Sequence, residues 1–270
     1  MKICLYHGVD FDGQCSAAIF AKSCGDTRYL LRPMDHGKEV PWSKLANRDV
    51  TMVDFSLPEA DMIELSKIAS LVTWIDHHKT AIEKYEGIFH STVLDTTQAA
   101  CVLAWKYYFG TPVPLGVRLL GSYDTWDLYS PQVLEFQEGL NTYVDTEPSN
   151  TDLWELVFAS NDDFIQKVCE RGAIVLNYQR KLFADNVERA AHVLLWENKT
   201  WMACNTTLKG SRVFDSLDWD GDVISYYWTG TMYRVSLYGV PGCGNIAKKY
   251  GGGGHDQAAG FECHILPWEK

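Results

Sequence analysis

Three side chains that can bind a metal or move a proton stand next to each other in WIDHHKT, residues 74–80. Asp76, His77 and His78 follow directly after the apolar run LVTWI. As a polar strand end, they would be surface groups. As a reaction centre, they would need partners from elsewhere in the chain. The interpretation therefore depends on where the other acids and histidines lie.

Two other apolar runs also end in acidic or imidazole side chains. KICLY is followed by His7, Asp10 and Asp12, and VTMVDF contains Asp54 near its end. Helix-like segments separate the three runs, which predicts βαβ units and a parallel sheet. Because the carboxyl ends of parallel strands share one edge, where ligands bind, we expect these side chains to meet in one cleft.

The segment GSYDTWDL offers a fourth contributor, at Asp124 or Asp127. Four carboxylates within a few ångströms could not all stay ionised without positive charge between them. Two divalent cations about 3.5–4 Å apart, bridged by one carboxylate, would supply it and would clamp a phosphoryl group. Mixed carboxylate and imidazole ligands suit manganese, iron or cobalt better than magnesium.

Each of these groups taken singly has a structural explanation. Lone aspartates at strand ends commonly cap helices, and a lone His7 would be a hydrogen-bonded turn residue. The spacing H-x-x-D-x-D-G, combined with a later D-H-H on parallel strand ends, is more specific than any single member. The combination favours the functional interpretation.

Composition narrows the class of protein. The chain has 270 residues, 46% of them hydrophobic, and a net charge of -11. This acidity argues against a duplex-DNA coat, which needs a basic face. No apolar run reaches the roughly 18 residues of a membrane span. The eight scattered cysteines form no C-x-x-C pair, and the first apolar block is too short for a signal peptide, which predicts a cytoplasmic protein with reduced thiols.

The pattern along the chain changes twice. Residues 1–160 alternate apolar runs with helical segments and form the predicted metal-binding domain. Helical spacing then predicts a connecting helix over 161–191, and residues 192–270 are rich in β-branched and aromatic residues. The expected fold is α/β: a parallel-sheet domain joined by a long helix to a smaller α+β domain, with the active site in the cleft between them.

One helix start in the first domain has a detailed signal. Ser56 as N-cap, with Glu59 three residues later, matches a capping box, and Pro58 suits the first turn. We therefore expect a helix that starts directly after Ser56 and runs to about Ala69.

The segment YGGGGHDQAAGF, residues 250–261, is the most glycine-rich part of the chain. Its glycines remove every Cβ and let backbone N–H groups approach an anion closely. His255 can add a donor, and Lys248 and Lys249 lie just upstream. A flexible turn before a strand is the structural alternative. The histidine and the strand-like AAGF favour phosphate binding.

Together these motifs resemble the DHH phosphoesterase superfamily with a C-terminal DHHA1 domain, over nearly the whole chain. That superfamily includes RecJ-type exonucleases, nano-RNases and cyclic-dinucleotide phosphodiesterases. Five separated motifs match in the family's order: His7-Gly8-Val9-Asp10-Phe11-Asp12-Gly13, Asp54, Asp76-His77-His78, Asp124 and Gly252-Gly253-Gly254-His255.

The resemblance implies a role for each matched position. One metal would be held by His7, Asp10 and Asp54, and the other by Asp12, Asp54, His77 and Asp124, with Asp54 bridging. His78 would be the catalytic residue facing the scissile phosphate, and Asp76 would orient its neighbours. Substrate would be bound by Gly252, Gly253, Gly254 and His255. Asp124 is preferred to Asp127 because Asp-Thr matches the family motif better.

The sequence departs from the family pattern in the second domain. Family members often carry an S-x-R element, in which an Arg stands two residues after the Ser. In this chain the residue two positions after Ser236 is Tyr238. Anchoring would then use stacking on Tyr238 or charge from Arg234 or Arg212. The chain lacks room for the extra domains of long-substrate RecJ exonucleases, which favours small substrates. It also lacks the Ser-Arg-Lys-Lys-type motif of the family's inorganic pyrophosphatases.

The resemblance implies a phosphodiesterase that cleaves short single-stranded oligonucleotides or small nucleotide phosphodiesters. Its cofactors would be two divalent metal ions, with Mn²⁺ the expected metal. The alternatives are a 3′,5′-bisphosphate nucleotide phosphatase, a cyclic-dinucleotide phosphodiesterase and a non-catalytic nucleotide-binding module, although the intact ligand set argues against the last. No membrane partner is expected, and a homodimer stays open.

Overall fold

The computed structural model describes residues 1–35, 37–159, 161–239, 241–254 and 256–269. The chain divides into two compact units. Unit 1 comprises residues 1–175 and unit 2 comprises residues 176–270, so the division falls inside one long helix.

A parallel sheet forms the centre of unit 1. Its strands in the described part of the chain are β1 (Lys2–His7), β2 (Tyr29–Met34), β3 (Asp49–Val53), β4 (Leu71–Asp76) and β5 (Ser91–Leu94). They lie in the order β2-β1-β3-β4-β5, and the pairings are parallel. The chain passes from β1 to β2 on one side and then crosses back to β3 on the other. Ligands bind at such a reversal in open parallel sheets.

Helices contribute to two cores, one on each face of this sheet. They are α1 (Phe11–Cys24), α2 (Trp42–Leu45), α3 (Glu59–Ile68), α4 (Lys79–Tyr85), α5 (Ala100–Phe109), α6 (Leu115–Asp124), α7 (Pro131–Leu140), α8 (Thr151–Phe158) and α9 (Asp162–Ala190). Cys4 and Tyr6 of β1 join the core that contains α1, α5 and α6, whereas Ile3 and Leu5 join the core that contains α3 and α4. Burial on both faces explains why the central strands are continuous apolar runs.

Sequence patterns did not predict the two edge strands of this sheet, β2 and β5. Strand β2 contains exposed Arg32 and Pro33, and a proline cannot donate a ladder hydrogen bond, which confines it to edges. Strand β5 has four residues, none of them fully buried. Neither strand has the apolar run that identifies the strands between them.

The predicted capping box at Ser56 is wrong. Helix α3 begins at Glu59, with Pro58 at the N-cap and no side-chain cap hydrogen bond. A residue before proline is disfavoured in helical backbone because it clashes with the proline ring. Leu57 therefore cannot open the helix, and Ser56 lies too early to cap it.

Unit 2 contains a mixed sheet. Its described strands are β6 (Ala191–Trp196), β7 (Lys199–Asn205), β8 (Asp222–Trp228), β9 (Tyr233–Tyr238), β10 (Gly253–Gly254) and β11 (Ala258–Cys263), in the order β10-β11-β9-β8-β7-β6. Only β7 and β8 pair in parallel among these described strands. Helix α10 (Cys243–Lys249) packs on one face, and the C-terminal part of α9 contributes Phe183 and Val187 to the core on the other.

Two global expectations concern thiols and membranes. All eight cysteines lie within the described ranges and are free thiols, and only Cys263 is not fully buried. None of the helices described above combines the length and the apolar character that crossing a membrane requires.

Candidate metal centre

The first motif occupies the turn from β1 into α1. His7 ends β1, and Asp10 is the N-cap of α1, where its Oδ1 accepts a hydrogen bond from Gly13 N at 3.0 Å. Its Oδ2 is 2.6 Å from His7 Nδ1, so Asp10 caps the helix with one oxygen and contacts the histidine with the other. A Cβ at Gly13 would lie 2.0 Å from the His7 carbonyl oxygen, which is why this turn requires glycine.

Asp12 is held by the start of helix α5. Its side chain is almost fully buried, and its two oxygens accept hydrogen bonds from Ala100 N at 2.8 Å and Cys101 N at 2.7 Å. A helix N-terminus favours an anion, which offsets part of the cost of burying this carboxylate. Burial first, and then the nearby Asp54, raise the pKa of Asp12 to about 7.

Asp54 follows β3 and lies among three histidines. Its backbone is left-handed, with φ at +55°, a conformation that Asp tolerates better than most residues. Oδ2 is 3.5 Å from His7 Nδ1, while Oδ1 is 3.3 Å from His77 Nε2 and 3.9 Å from His78 Nδ1. One buried carboxylate therefore connects the His7 side of the site with the His77 side.

His77 faces three carboxylates. Its Nε2 is 3.2 Å from Asp124 Oδ2, 3.3 Å from Asp54 Oδ1 and 3.7 Å from Asp12 Oδ2. Asp124 is the last residue of α6, whereas Asp127 is exposed and belongs to none of the ligand-atom groups found among the described residues. Of the two competing aspartates, the structure brings Asp124 to this site.

Crowding of like charges perturbs the titration of these groups. Burial disfavours the charged form of His7, yet the nearby carboxylates of Asp10 and Asp54 raise its pKa to about 10. Burial acts likewise on His77, and its neighbouring carboxylates, Asp54 first, raise its pKa to about 9. Burial and nearby carboxylates raise the pKa of Asp124 to about 7. The site is short of positive charge.

Four buried polar atoms of the site make no hydrogen bond of acceptable geometry with the residues described. They are His7 Nδ1, Asp54 Oδ1, His77 Nε2 and Asp124 Oδ2. Leaving one such atom unsatisfied costs about 1–3 kcal/mol, so four of them side by side fit a site that binds cations.

The ligand atoms also lie close enough to share cations. Three sets have all their atoms within 4.8 Å of one another: His7–Asp10–Asp54, Asp12–His77–Asp124 and Asp54–His77–His78. Carboxylate and imidazole donors suit divalent transition metals. The residues present therefore fit a pair of such metals.

Asp76 organises the histidine pair from behind. Its Oδ1 accepts hydrogen bonds from His77 N at 2.7 Å, His78 N at 3.1 Å and His78 Nδ1 at 2.7 Å, and its Oδ2 accepts one from Trp74 Nε1 at 3.1 Å. Burial lowers the pKa of His78, but the carboxylates of Asp76 and Asp54 together raise it above its usual value. Binding a metal through His78 Nδ1 would break the bond to Asp76, so His78 is the weakest candidate ligand.

The glycine motif lies in unit 2. Gly253 and Gly254 form β10, and Gly252 N donates to Ala247 O at 3.0 Å. A Cβ at Gly252 would lie 2.1 Å from the Gly260 carbonyl oxygen, whereas a Cβ at Gly253 would meet no atom within 4 Å. His255, the fourth predicted substrate residue, lies outside the described residues.

Two sets of contacts were not predicted from the sequence: the backbone donors of Ala100 and Cys101, and the indole of Trp74. Strand periodicity could have indicated Trp74, because residues two apart on a strand point to the same side. The pairing of the α5 backbone donors with Asp12 could not be predicted, because it depends on how α1 and α5 pack.

No family model matches the chain. A protein of Acanthamoeba polyphaga mimivirus, named uncharacterized protein R106, is 26% identical over 303 residues, which cover 100% of this chain and 70% of that protein.

Solved structures share the fold. The pGpG-specific phosphodiesterase PggH from Vibrio cholerae matches with a TM-score of 0.57 and 17% identity, over 98% of this chain and 93% of that one. A DHH domain from a protein described as a member of a ribosomal-protein family matches with a TM-score of 0.52 and 10% identity, over 98% of this chain and 82% of that one. RecJ from Thermus thermophilus, in complex with Mn²⁺, matches with a TM-score of 0.51 and 13% identity, over 99% of this chain and 50% of that one. The chain has the fold of DHH-domain proteins, so the fold expected from the resemblance is confirmed.

Proposed function

We propose that the chain is a metal-dependent phosphodiesterase that hydrolyses short oligonucleotides or small nucleotide phosphodiesters. The observation that carries this proposal is the position of Asp54. Its two oxygens face ligand atoms on both sides, at 3.5 Å from His7 Nδ1 and 3.3 Å from His77 Nε2. A carboxylate so placed suits a bridge between two metals.

The proposed ligands form two sets that share Asp54. One metal would be held by His7, Asp10 and Asp54, and the other by Asp12, Asp54, His77 and Asp124. When bound, two divalent cations would balance the carboxylates and supply the positive charge that activates a water and stabilises phosphoryl oxygens. Mn²⁺ is the proposed metal because carboxylate and imidazole ligands are mixed.

His78 is the proposed proton donor to the phosphate. Because Asp76 engages Nδ1 at 2.7 Å, a proton that His78 gives to substrate comes from Nε2. The raised pKa of His78 favours the charged ring, which attracts a phosphate and carries the proton it needs. Asp76 fixes the ring orientation and the backbone on which both histidines stand.

A small substrate is supported by the comparisons. PggH, described as specific for pGpG, aligns with this chain over 93% of its own length, whereas RecJ aligns over 50%. A linear dinucleotide is therefore the first substrate to test. A 3′,5′-bisphosphate nucleotide should be measured beside it, and a faster reaction there would replace the phosphodiesterase by a phosphatase.

The proposal is tested by hydrolysis of a 5′-labelled dinucleotide with Mn²⁺ and with EDTA. Loss of a metal ligand in Asp124→Asn should lower the rate by more than about a hundredfold, beyond the effect of losing an outer partner. Asp127→Asn is the matched control, since Asp127 is an exposed aspartate three residues later, and it should keep the wild-type rate. Activity that survives complete metal removal, or equal rates for the two variants, would contradict the proposal.

A further inference from the structure

Unit 2 has a cavity beside the glycine motif. Its volume is about 400 Å³, and its lining includes Arg234 and Ser236 of β9, Gly252, and Gly260 and Glu262 of β11. Pockets for small ligands span about 300–1,000 Å³, so the cavity has room for a nucleotide component.

Three glycines, Gly251, Gly252 and Gly260, line part of this cavity. A Cβ at Gly252 would lie 2.1 Å from the Gly260 carbonyl oxygen, and a Cβ at Gly260 would lie 2.8 Å from the Val235 carbonyl oxygen. Backbone segments pack too closely here for any residue but glycine. The polar side chains of the lining are those of Arg234, Ser236 and Glu262, which form its rim, and we expect them to decide what the cavity binds.

Arg234 and Glu262 form an ion pair at that rim. They are directly opposite each other on β9 and β11. Arg234 donates through Nε at 3.1 Å and Nη2 at 2.7 Å, and both bonds end on Glu262 Oε1. Within the described ranges, Glu262 Oε2 accepts no hydrogen bond. The rim thus presents a carboxylate acceptor beside guanidinium donors.

The structure distinguishes among the anchors that the sequence offered. Tyr238 packs in the core with Val223, and its hydroxyl accepts a hydrogen bond from Gly210 N at 3.3 Å. Neither Tyr238 nor Arg212 is among the lining residues, whereas Arg234 is. Arg234 stands two residues before Ser236 and on the same side of the strand. In the S-x-R element of the related family, the Arg stands two residues after the Ser.

The charge of the rim selects against a phosphate. The Glu262 carboxylate would repel a phosphate group. Glu262 also pairs with Arg234, so it offsets part of the positive charge that would attract a phosphate. The polar edge of a nucleobase has no such penalty, since N–H donors and carbonyl or ring-nitrogen acceptors alternate along it. Guanine is the fullest match, because N1–H and N2–H stand beside O6.

We propose that this cavity binds the polar edge of a nucleobase, guanine above the others, through Glu262 as acceptor and Arg234 as donor. The inference rests on the proposed function for its substrate class, nucleotides, and assigns the base-recognition site of unit 2. In the bound state Glu262 accepts from the base N–H groups, and Arg234 donates to O6 while it keeps its bond to Glu262.

Calorimetric titration of the full chain with guanosine, in EDTA, tests the proposal. Guanosine should bind more tightly than the other nucleosides, and inorganic phosphate should not displace it. Glu262→Gln puts an NH₂ group where an acceptor is needed and should weaken guanosine binding about tenfold or more, since bonds to a charged acceptor are the stronger ones. If the cavity instead takes phosphate, which would overturn the proposal, phosphate displaces guanosine and Glu262→Gln tightens phosphate binding.

Glu59→Gln is the matched control. Glu59 forms an exposed ion pair with Lys84 at 3.4 Å, and its replacement removes the same charge. Guanosine binding should be unchanged, and both variants should unfold near the wild-type temperature, because exposed pairs add little to stability. Absence of guanosine binding, or equal binding by wild type and Glu262→Gln, overturns the proposal. Guanosine has no phosphodiester, so this result and the result of the dinucleotide assay can fail separately.

Discussion

Replacement of Asp76 by asparagine should destabilise unit 1 and disturb the histidine pair. The Asp76 carboxylate is 0% exposed and accepts four hydrogen bonds, three on Oδ1 and one, from Trp74 Nε1, on Oδ2. Asparagine offers one carbonyl oxygen and one NH₂ group. Its best orientation keeps the oxygen in place of Oδ1 and turns the NH₂ group toward the indole N–H, so that two donors face each other.

The magnitude follows from these bonds. A hydrogen bond to a charged group contributes about 1.5–3 kcal/mol and a neutral one about 0.5–1.5 kcal/mol, so three weakened bonds lose about 3 kcal/mol. Trp74 Nε1 keeps its second hydrogen bond, to Phe55 O at 3.2 Å, so the indole is not left unsatisfied, and removal of a buried charge returns part of the loss. We expect the free energy of unfolding to fall by about 2–3 kcal/mol, within the total of about 5–15 kcal/mol that a folded domain has.

Urea unfolding monitored by circular dichroism measures this loss. The matched control is Asp95→Asn, which removes a charge that accepts bonds from Thr97 N, Thr97 Oγ1 and Gln98 Nε2 at a solvent-accessible position, and it should cost much less. A loss below about 1 kcal/mol in Asp76→Asn, or an equal loss in both variants, would refute the role given to Asp76. The mutant should also lose dinucleotide hydrolysis, because the His78 ring is no longer held.

Three further outcomes are expected. Gly13→Ala should prevent a stable fold, since the new Cβ would lie 2.0 Å from the His7 carbonyl oxygen, and thermal unfolding measures this. Tyr238→Phe should cost about 1 kcal/mol, through the lost bond to Gly210, in urea unfolding, but should leave guanosine binding unchanged. Mn²⁺ should bind more tightly as the pH rises from 6 to 8, and its binding should release protons. The reason is that metal-free His7 and His77, with pKa values of about 10 and about 9, must each lose a proton to bind the metal. Calorimetry in two buffers of different ionisation enthalpy measures the number of protons released.

The central strands and their ends could be predicted because they follow from residue type alone. Strands β1, β3 and β4 are buried on both faces, so each is an apolar run that stops at a polar residue. Since parallel strands end at one edge, the sequence alone was enough to expect His7, Asp54 and His77 to meet. The edge strands lack this signal, because exposed Arg32 and Pro33 interrupt the apolar pattern of β2.

Details that depend on packing or on backbone conformation were not available from the sequence. The left-handed backbone of Asp54 aims its carboxylate at both sides of the site, yet nothing in VTMVDF indicates it. The bonds from Ala100 and Cys101 to Asp12 join residues 88 and 89 positions apart and exist only because α1 and α5 pack together. Helix α3 begins later than its capping pattern predicts, because Pro58 disfavours a helical backbone at Leu57.

Anomalous X-ray diffraction from crystals grown with Mn²⁺ tests the two-metal site most directly. Two manganese peaks about 3.5–4 Å apart should appear, one next to His7 and Asp10 and the other next to His77 and Asp124, with Asp54 in contact with both. A single peak, or no peak among these five residues at saturating Mn²⁺, would contradict the account.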